Sequence, residues 1–164
     1  MRESSGQFML FGLVALSLLA ALLVAVFPLP KAYSLLRPEL VCLLILYWVM
    51  FNPEHIGVTL AFGVGVLQDV VEGVVWGAHA VALAVLAYIC LVSYQRIRNY
   101  SVWHQALWVF VLVGTHQVLV NWIQGLAGYQ VPVAHMLIPT MVSALCWPAL
   151  CYGMNRLRRQ YRII

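Results

Sequence analysis

The sequence predicts an all-α integral membrane protein with six transmembrane helices. Of its 164 residues, 64% are hydrophobic and only 9% are charged, and the mean hydropathy is +0.93. The charged residues fall between apolar runs about as long as a bilayer is thick, since roughly 20 apolar residues in a helix cross about 30 Å of hydrocarbon. A water-soluble domain of this size would need a more polar surface.

The spans are predicted within one membrane domain that covers the whole chain, residues 1–164. The first run contains no charged residue and is longer than the roughly 7–15 apolar residues of a secretion signal, so it is interpreted as an uncleaved helix. Six spans leave only short loops, which excludes a soluble catalytic, nucleotide-binding or receptor domain. The predicted spans are residues 8–29, 35–52, 56–75, 78–95, 102–124 and 134–154.

The distribution of basic residues predicts that both termini are cytoplasmic. Lys and Arg retain loops on the cytoplasmic side of a membrane, and this rule explains the net charge of +4 better than nucleic-acid binding does. A five-span alternative would place one of the two later arginine clusters outside. With six spans, only Lys31 and Arg37 lie outside, and the cytoplasmic residues are Arg2, Arg96, Arg98, Arg156, Arg158, Arg159 and Arg162.

The apolar run of span two is unusually short. Residues 40–51 would form only about 18 Å of helix at 1.5 Å per residue. To cross the membrane, this helix must begin near residue 35 and carry Arg37, Pro38 and Glu39 at its outer end. Proline is compatible with a first helical turn, where its missing N–H would have no partner.

Span three carries small residues at four-residue intervals, with one carboxylate among them. Residues four apart neighbour one another on a helix, and small residues allow two helix backbones to approach closely in lipid. We therefore predict a helix or partner contact along this track, although the last two glycines are equally compatible with a turn between spans three and four. The track consists of Ala61, Gly65, Asp69, Gly73 and Gly77.

Asp69 is the outstanding polar residue, because an ionised carboxylate at the membrane centre costs roughly 2.5–3.5 kcal/mol. Such a group faces protein or water, so we expect a helix contact or, alternatively, an ion or substrate site. Arg37 is a candidate ion-pair partner for Asp69. A second polar row on span five, spaced to share one helix face, predicts an interhelical network of Gln117, Asn121 and Gln124.

Sequence patterns typical of metal or catalytic sites are absent. The five histidines are scattered and the four cysteines lie in apolar runs, without metal-ligand spacing. Phosphate-binding glycine loops, nucleophile elbows and zinc-protease motifs are also missing. We therefore predict a protein that is not an enzyme and has no cofactor or metal.

Three stretches in this order resemble the MreD family, the rod shape-determining membrane proteins of bacteria. They are residues 37–48, 65–79 and 94–100. The resemblance lies in the Arg37-Pro38-Glu39 opening of span two and in the Leu-x-Asp element with two later glycines, here Asp69, Gly73 and Gly77. Glu39 stands where many members of the family have Asp, which keeps the charge.

The resemblance implies a non-enzymatic scaffold of the cell-elongation machinery in the bacterial inner membrane, which helps direct lateral peptidoglycan synthesis. Its implied partners are the single-span protein MreC, the glycan polymerase and transpeptidase of that machinery and, indirectly or through cytoplasmic loops, the filament protein MreB. The implied fold is that of the substrate-binding subunits of energy-coupling-factor transporters. An alternative function follows from that fold, a vitamin-binding subunit with its ligand near Asp69, Glu72, Gln117 and Asn121.

The scaffold hypothesis also makes a prediction about individual residues. If the small-residue track faces a partner helix, Gly65→Leu or Asp69→Leu should weaken association with MreC while the protein still inserts into the membrane.

Overall fold

The computed structural model describes residues 2–27, 36–129, 132 and 134–160, and this part of the chain is helical without strands. The helices match the all-α prediction. Their bounds are α1 Arg2–Val26, α2 Leu40–Phe51, α3 Val58–Glu72, α4 Ala78–Ile97, α5 Val102–Leu126 and α6 Ala134–Gln160.

Four of these helices are long and apolar enough to cross a membrane. Their apolar segments are Gln7–Val26, Ala78–Ile97, Val102–Leu126 and His135–Gln160. Helices α2 and α3 are shorter, with 12 and 15 residues, or about 18 and 22 Å. Large apolar side chains remain exposed on the outside of the bundle, such as Phe8 and Trp122, as expected for a surface that faces lipid. These features define an integral membrane protein.

Helix α2 is the centre of the bundle. Every residue from Val41 to Met50 is buried, and the helix packs against α1, α4, α5 and α6. Its two large polar-tipped side chains have partners: the Tyr47 hydroxyl donates to Asn155 at 2.7 Å, and the Trp48 indole donates to Ser17 at 3.0 Å. A helix that is apolar on all sides belongs in the core of a protein.

The start of α2 differs from the predicted span 35–52. Residues 36–39 are not helical and the helix begins at Leu40, while residue 35 lies outside the described part of the chain. The Glu39 backbone N–H instead donates to the hydroxyl of Ser143 on α6, at 2.8 Å. Arg37 and Glu39 thus lie in a non-helical approach to the helix. Pro38 disfavours helical geometry at Arg37, and the Leu40 N–H donates to the Pro38 oxygen at 2.9 Å in a tight turn around Glu39.

The remaining helices differ from the predicted spans mainly at their ends. Helix α1 already begins at Arg2, and α6 continues to Gln160 through the basic residues of the tail. Helix α3 ends at Glu72, three residues before the predicted end at residue 75. These differences follow from charged side chains, which can continue a helix beyond its apolar part, and from glycine, which ends one.

Candidate functional site

Asp69 lies in the last turn of α3 and is almost completely buried, with 1% of its surface exposed. Its Oδ2 accepts hydrogen bonds from the backbone N–H groups of Gly77, at 2.8 Å, and Ala80, at 3.3 Å. Its Oδ1 lies 2.9 Å from both the backbone nitrogen and the ring Nδ1 of His79. The carboxylate therefore has four hydrogen-bond partners, which offset the cost of burying its charge.

These contacts make Asp69 the cap of α4, although it belongs to α3. The residue at the N-cap position of α4 is Gly77, which has no side chain to accept from the first N–H groups of the helix. Asp69 supplies the missing acceptor, and its negative charge lies at the positive end of the α4 dipole. Asp69 thus fastens the end of one helix to the start of the next.

The last two glycines of the predicted track lie in the turn between these helices, the second of the two positions with which their sequence is compatible. Gly73 ends α3 with φ of 65° and Gly77 precedes α4 with φ of 94°. Both values lie in the left-handed region that favours glycine. The backbone oxygen of Asp69 accepts from Gly73 and Val74 in the same turn. A five-residue track on one helix face is therefore absent.

Gly65 allows α3 and α4 to touch through their backbones. A Cβ added at Gly65 would lie 2.6 Å from the backbone nitrogen of Ala80 and even closer to the Ala80 Cα. Ala61, one turn earlier, is fully buried. By contrast, Gly63 is exposed and a Cβ there would meet no atom within 4 Å. The small residues Ala61 and Gly65 thus lie inside the helix bundle of this protein and do not face a partner.

The polar row on α5 is not one connected network. The Gln117 side chain donates to Glu39 at 2.8 Å, and Asn121 contacts the Met136 sulfur at 3.1 Å. Gln124 uses its backbone oxygen to accept from residues in the following turn. Within the described residues, the Gln117 and Asn121 side chains therefore join α5 to different neighbours, and the bonds of Gln124 stay within its own turn.

His79, one of the five scattered histidines of the sequence and a candidate neighbour of Asp69, connects both acidic residues at the end of α3. Besides contacting Asp69, its Nε2 lies 3.7 Å from Glu72. His116 of α5 is buried, with its ring centroid 5.7 Å from that of His79. The feature of the sequence that could have indicated this contact is the spacing: His79 follows Asp69 by ten residues, with two glycines between them. The proposed Arg37–Asp69 pair is not among the ion pairs of the described residues.

A cleft of about 310 Å³ lies next to this polar cluster, between the end of α1, the approach to α2 and the end of α3. Within the described residues, no group of three or more His, Cys, Asp or Glu is arranged to hold a metal. The cleft has polar and apolar walls. Its polar lining residues are Arg37, Glu39, Gln68 and Glu72, and the apolar ones include Ala21, Val24, Ala25, Val41 and Val71.

The fold and this site define a helical integral membrane protein whose polar groups fasten its own helices together. The profile of the family described as "rod shape-determining protein MreD" matches residues 6–156. The chain is also similar to the rod shape-determining protein MreD of Haemophilus influenzae (strain ATCC 51907 / DSM 11121 / KW20 / Rd), with 27% identity over 136 residues, 83% of this chain and 84% of the relative. No solved structure matches the chain.

The chain therefore belongs to the MreD family of rod shape-determining proteins, as the resemblance in the sequence indicated. Membership in this family supports a role in determining rod shape and a location in a membrane.

Proposed function

We propose that this protein is a non-enzymatic scaffold of the bacterial cell-elongation machinery, which binds MreC in the inner membrane and helps direct lateral peptidoglycan synthesis. The match to the rod shape-determining family over residues 6–156 is the observation that carries this proposal. The glycan polymerase and transpeptidase are further proposed partners, and MreB is an indirect one. A six-span topology with both termini in the cytoplasm belongs to the same proposal, as does a fold like that of energy-coupling-factor substrate-binding subunits.

The geometry changes where a partner helix is expected to bind. Gly65 and Asp69 are occupied by α4 of the same chain, so changing them would alter the fold before it altered a partner contact. The exposed side of α3 contains Gly63 between the apolar side chains of Phe62 and Leu67. A small residue on an exposed apolar face allows a second helix to approach closely in lipid. We therefore move the proposed MreC contact to this side of α3.

The alternative function, a vitamin-binding transporter subunit, has no support from the family match. The residues expected to hold its ligand, Asp69, Glu72, Gln117 and Asn121, also do not line one common cleft. The cleft that includes Glu72 is lined by α1, α2 and α3, whereas the one that includes Asn121 is lined by α5 and Met136.

The test is mass spectrometry of the proteins that co-purify with a tagged copy extracted gently from its native membrane. Recovery of MreC together with the glycan polymerase and transpeptidase is the expected result. Recovery of a transporter ATPase, or of a stoichiometric vitamin, would contradict the scaffold proposal.

A matched pair of variants tests the position of the contact. Gly63→Leu should reduce MreC recovery because it adds bulk on the exposed side of α3, while the protein keeps the stability of the wild type. Val92→Leu is the control, since Val92 is also exposed but lies on α4. Unchanged MreC recovery with Gly63→Leu would place the contact elsewhere on the bundle.

A further inference from the structure

The cleft beside the polar cluster has charges of both signs and a side opening. Arg37 supplies a cation, Glu39 and Glu72 supply carboxylates, and Gln68 adds an amide. Two of its apolar lining residues, Val24 on α1 and Val71 on α3, are also exposed on the outside of the bundle. A molecule in the surrounding lipid can therefore enter between α1 and α3.

Two residues that line this cleft each have a buried side-chain atom without a partner among the described residues. One is the Oε1 of Gln68, in a residue that is only 2% exposed, and the other is the Nη2 of Arg37. The Gln68 amide is held in place on its other side, because its Nε2 donates to Glu72 at 2.9 Å. Buried polar atoms are nearly always paired in folded proteins. An acceptor and a donor without partners in one cleft indicate a polar ligand.

The depth of the cleft indicates where that ligand comes from. With 12 residues, α2 spans about 18 Å, whereas the hydrocarbon core is about 30 Å thick. In the predicted topology the end of α2 near Asn52 faces the cytoplasm, so its beginning lies roughly 10 Å below the outer edge of the hydrocarbon. Charged groups at this depth are costly unless polar groups meet them.

We infer that this cleft binds the headgroup of a zwitterionic aminophospholipid from the outer leaflet. The lipid phosphate accepts from the Arg37 guanidinium, and the primary ammonium donates to Glu72, Glu39 and the Gln68 oxygen. The lipid chains lie outside, along the apolar surface near Val24 and Val71. The outer-leaflet origin rests on the proposed six-span topology, whereas the binding itself does not depend on which proteins the scaffold contacts.

The size of the cleft favours a lipid headgroup over a protein segment. A volume of about 310 Å³ accommodates a small headgroup, whereas a transmembrane helix has a diameter of about 10–12 Å with its side chains. The two signs of charge match a phosphate and an ammonium on one molecule. An anionic lipid would satisfy Arg37 but would lie beside two carboxylates.

Native mass spectrometry of the full chain in mild detergent tests the ligand. Phosphatidylethanolamine, phosphatidylcholine and phosphatidylglycerol with identical chains are added at equal concentration. We expect phosphatidylethanolamine to be retained about tenfold better than the other two, because charge-assisted hydrogen bonds need its primary ammonium. Equal retention of the three lipids would overturn the proposal. Complete displacement by soluble phosphoethanolamine would do so too, since it would show that no lipid is required.

Variants then locate the binding site. Arg37→Gln and Glu72→Gln should each reduce phosphatidylethanolamine retention about tenfold, since each removes a charge from a charge-assisted hydrogen bond. Arg96→Gln is the matched control, because Arg96 lies at the opposite end of α4 from His79 and does not line the cleft. Equal losses with Arg96→Gln would overturn the assignment. Circular dichroism of each variant checks that the helices are retained.

A photo-crosslinking amino acid at Val71 in native membranes distinguishes a lipid from a protein occupant. The expected product is an adduct with the mass of phosphatidylethanolamine, enriched relative to the same amino acid at Val92, which is exposed on α4. A protein adduct at Val71, or equal lipid labelling at both positions, would overturn the proposal.

Discussion

The α3–α4 pair and the α5–α6 pair are both helical hairpins, but they are joined in different ways. In α3–α4 the backbones touch at Gly65 and Ala80, and one buried carboxylate, that of Asp69, binds the start of the second helix. In α5–α6 the contacts run through side chains: Trp147 donates to Gln105 at 3.3 Å, and a Cβ at Gly114 would lie 3.7 Å from Thr140. Backbone contact leaves no room to adapt, whereas side chains can repack. The first hairpin should therefore be much more sensitive to substitution.

The largest effect is expected for Gly65→Ala. The added methyl group would overlap the backbone of α4. Overpacking typically costs about 1–3 kcal/mol, and a clash with rigid backbone belongs at the upper end, about 3 kcal/mol. The free energy of unfolding, measured by titration with SDS in mixed micelles, should fall by that amount. Gly63→Ala is the control on the open side of the same helix. Equal stability of the two variants would contradict the backbone contact.

Asp69→Asn should lower the free energy of unfolding by about 2 kcal/mol, as expected for hydrogen bonds to a charged group. The amide keeps the size of the side chain but turns an acceptor into a donor that faces the N–H groups of Gly77 and Ala80. Glu72→Gln is the control, three residues further on, because its amide oxygen can still accept from Gln68. The same titration measures both. A similar loss for Glu72→Gln would show that any charge change at this end of α3 is destabilising.

Asn121→Leu in the second hairpin should change the free energy of unfolding by less than about 1 kcal/mol. Its amide donates to the Met136 sulfur, a weak acceptor, and its buried Oδ1 has no partner among the described residues. Replacing a poorly paired polar group by an apolar one is often nearly neutral. A loss as large as that of Asp69→Asn would mean that α5–α6 also depends on a polar clamp.

Gly114→Ala should have a similarly small effect but a stabilising one, raising the free energy of unfolding by up to about 1 kcal/mol. The new Cβ makes an ordinary contact with Thr140, and alanine favours a helix over glycine by about that amount. Compared directly with Gly65→Ala, it isolates the difference between the two hairpins. Destabilisation by Gly114→Ala would indicate that α5 and α6 are packed more tightly than the 3.7 Å between the added Cβ and the Thr140 side chain implies.

The sequence predicted the helical class and the family because both depend on features that are local or ordered along the chain. Apolar runs identify helices, and Asp69, Gly73 and Gly77 resemble the family motif in their spacing. The partners of Asp69 could not be predicted in the same way. A carboxylate that caps the next helix requires the turn of residues 73–77, and whether the glycines continue α3 or end it depends on the competing contacts of both helices.

The start of α2 shows a second limit of sequence reasoning. An expected crossing length of about 20 residues led to a predicted helix from residue 35, whereas the helix begins at Leu40. Length rules assume that each helix faces lipid by itself. Helix α2 is enclosed by its neighbours, so it does not have to match the thickness of the bilayer.

The enclosure of α2 also bears on the order in which the protein is assembled during synthesis. Three of the helices that surround it, α4, α5 and α6, are translated later. The partners of its polar beginning, Gln117 and Ser143, are about 80 and 100 residues further along the chain. Until they emerge from the ribosome, the carboxylate and the backbone N–H of Glu39 lack the partners that they have in the folded chain. The stable position of α2 in the membrane is therefore reached late, when the last two helices close around it.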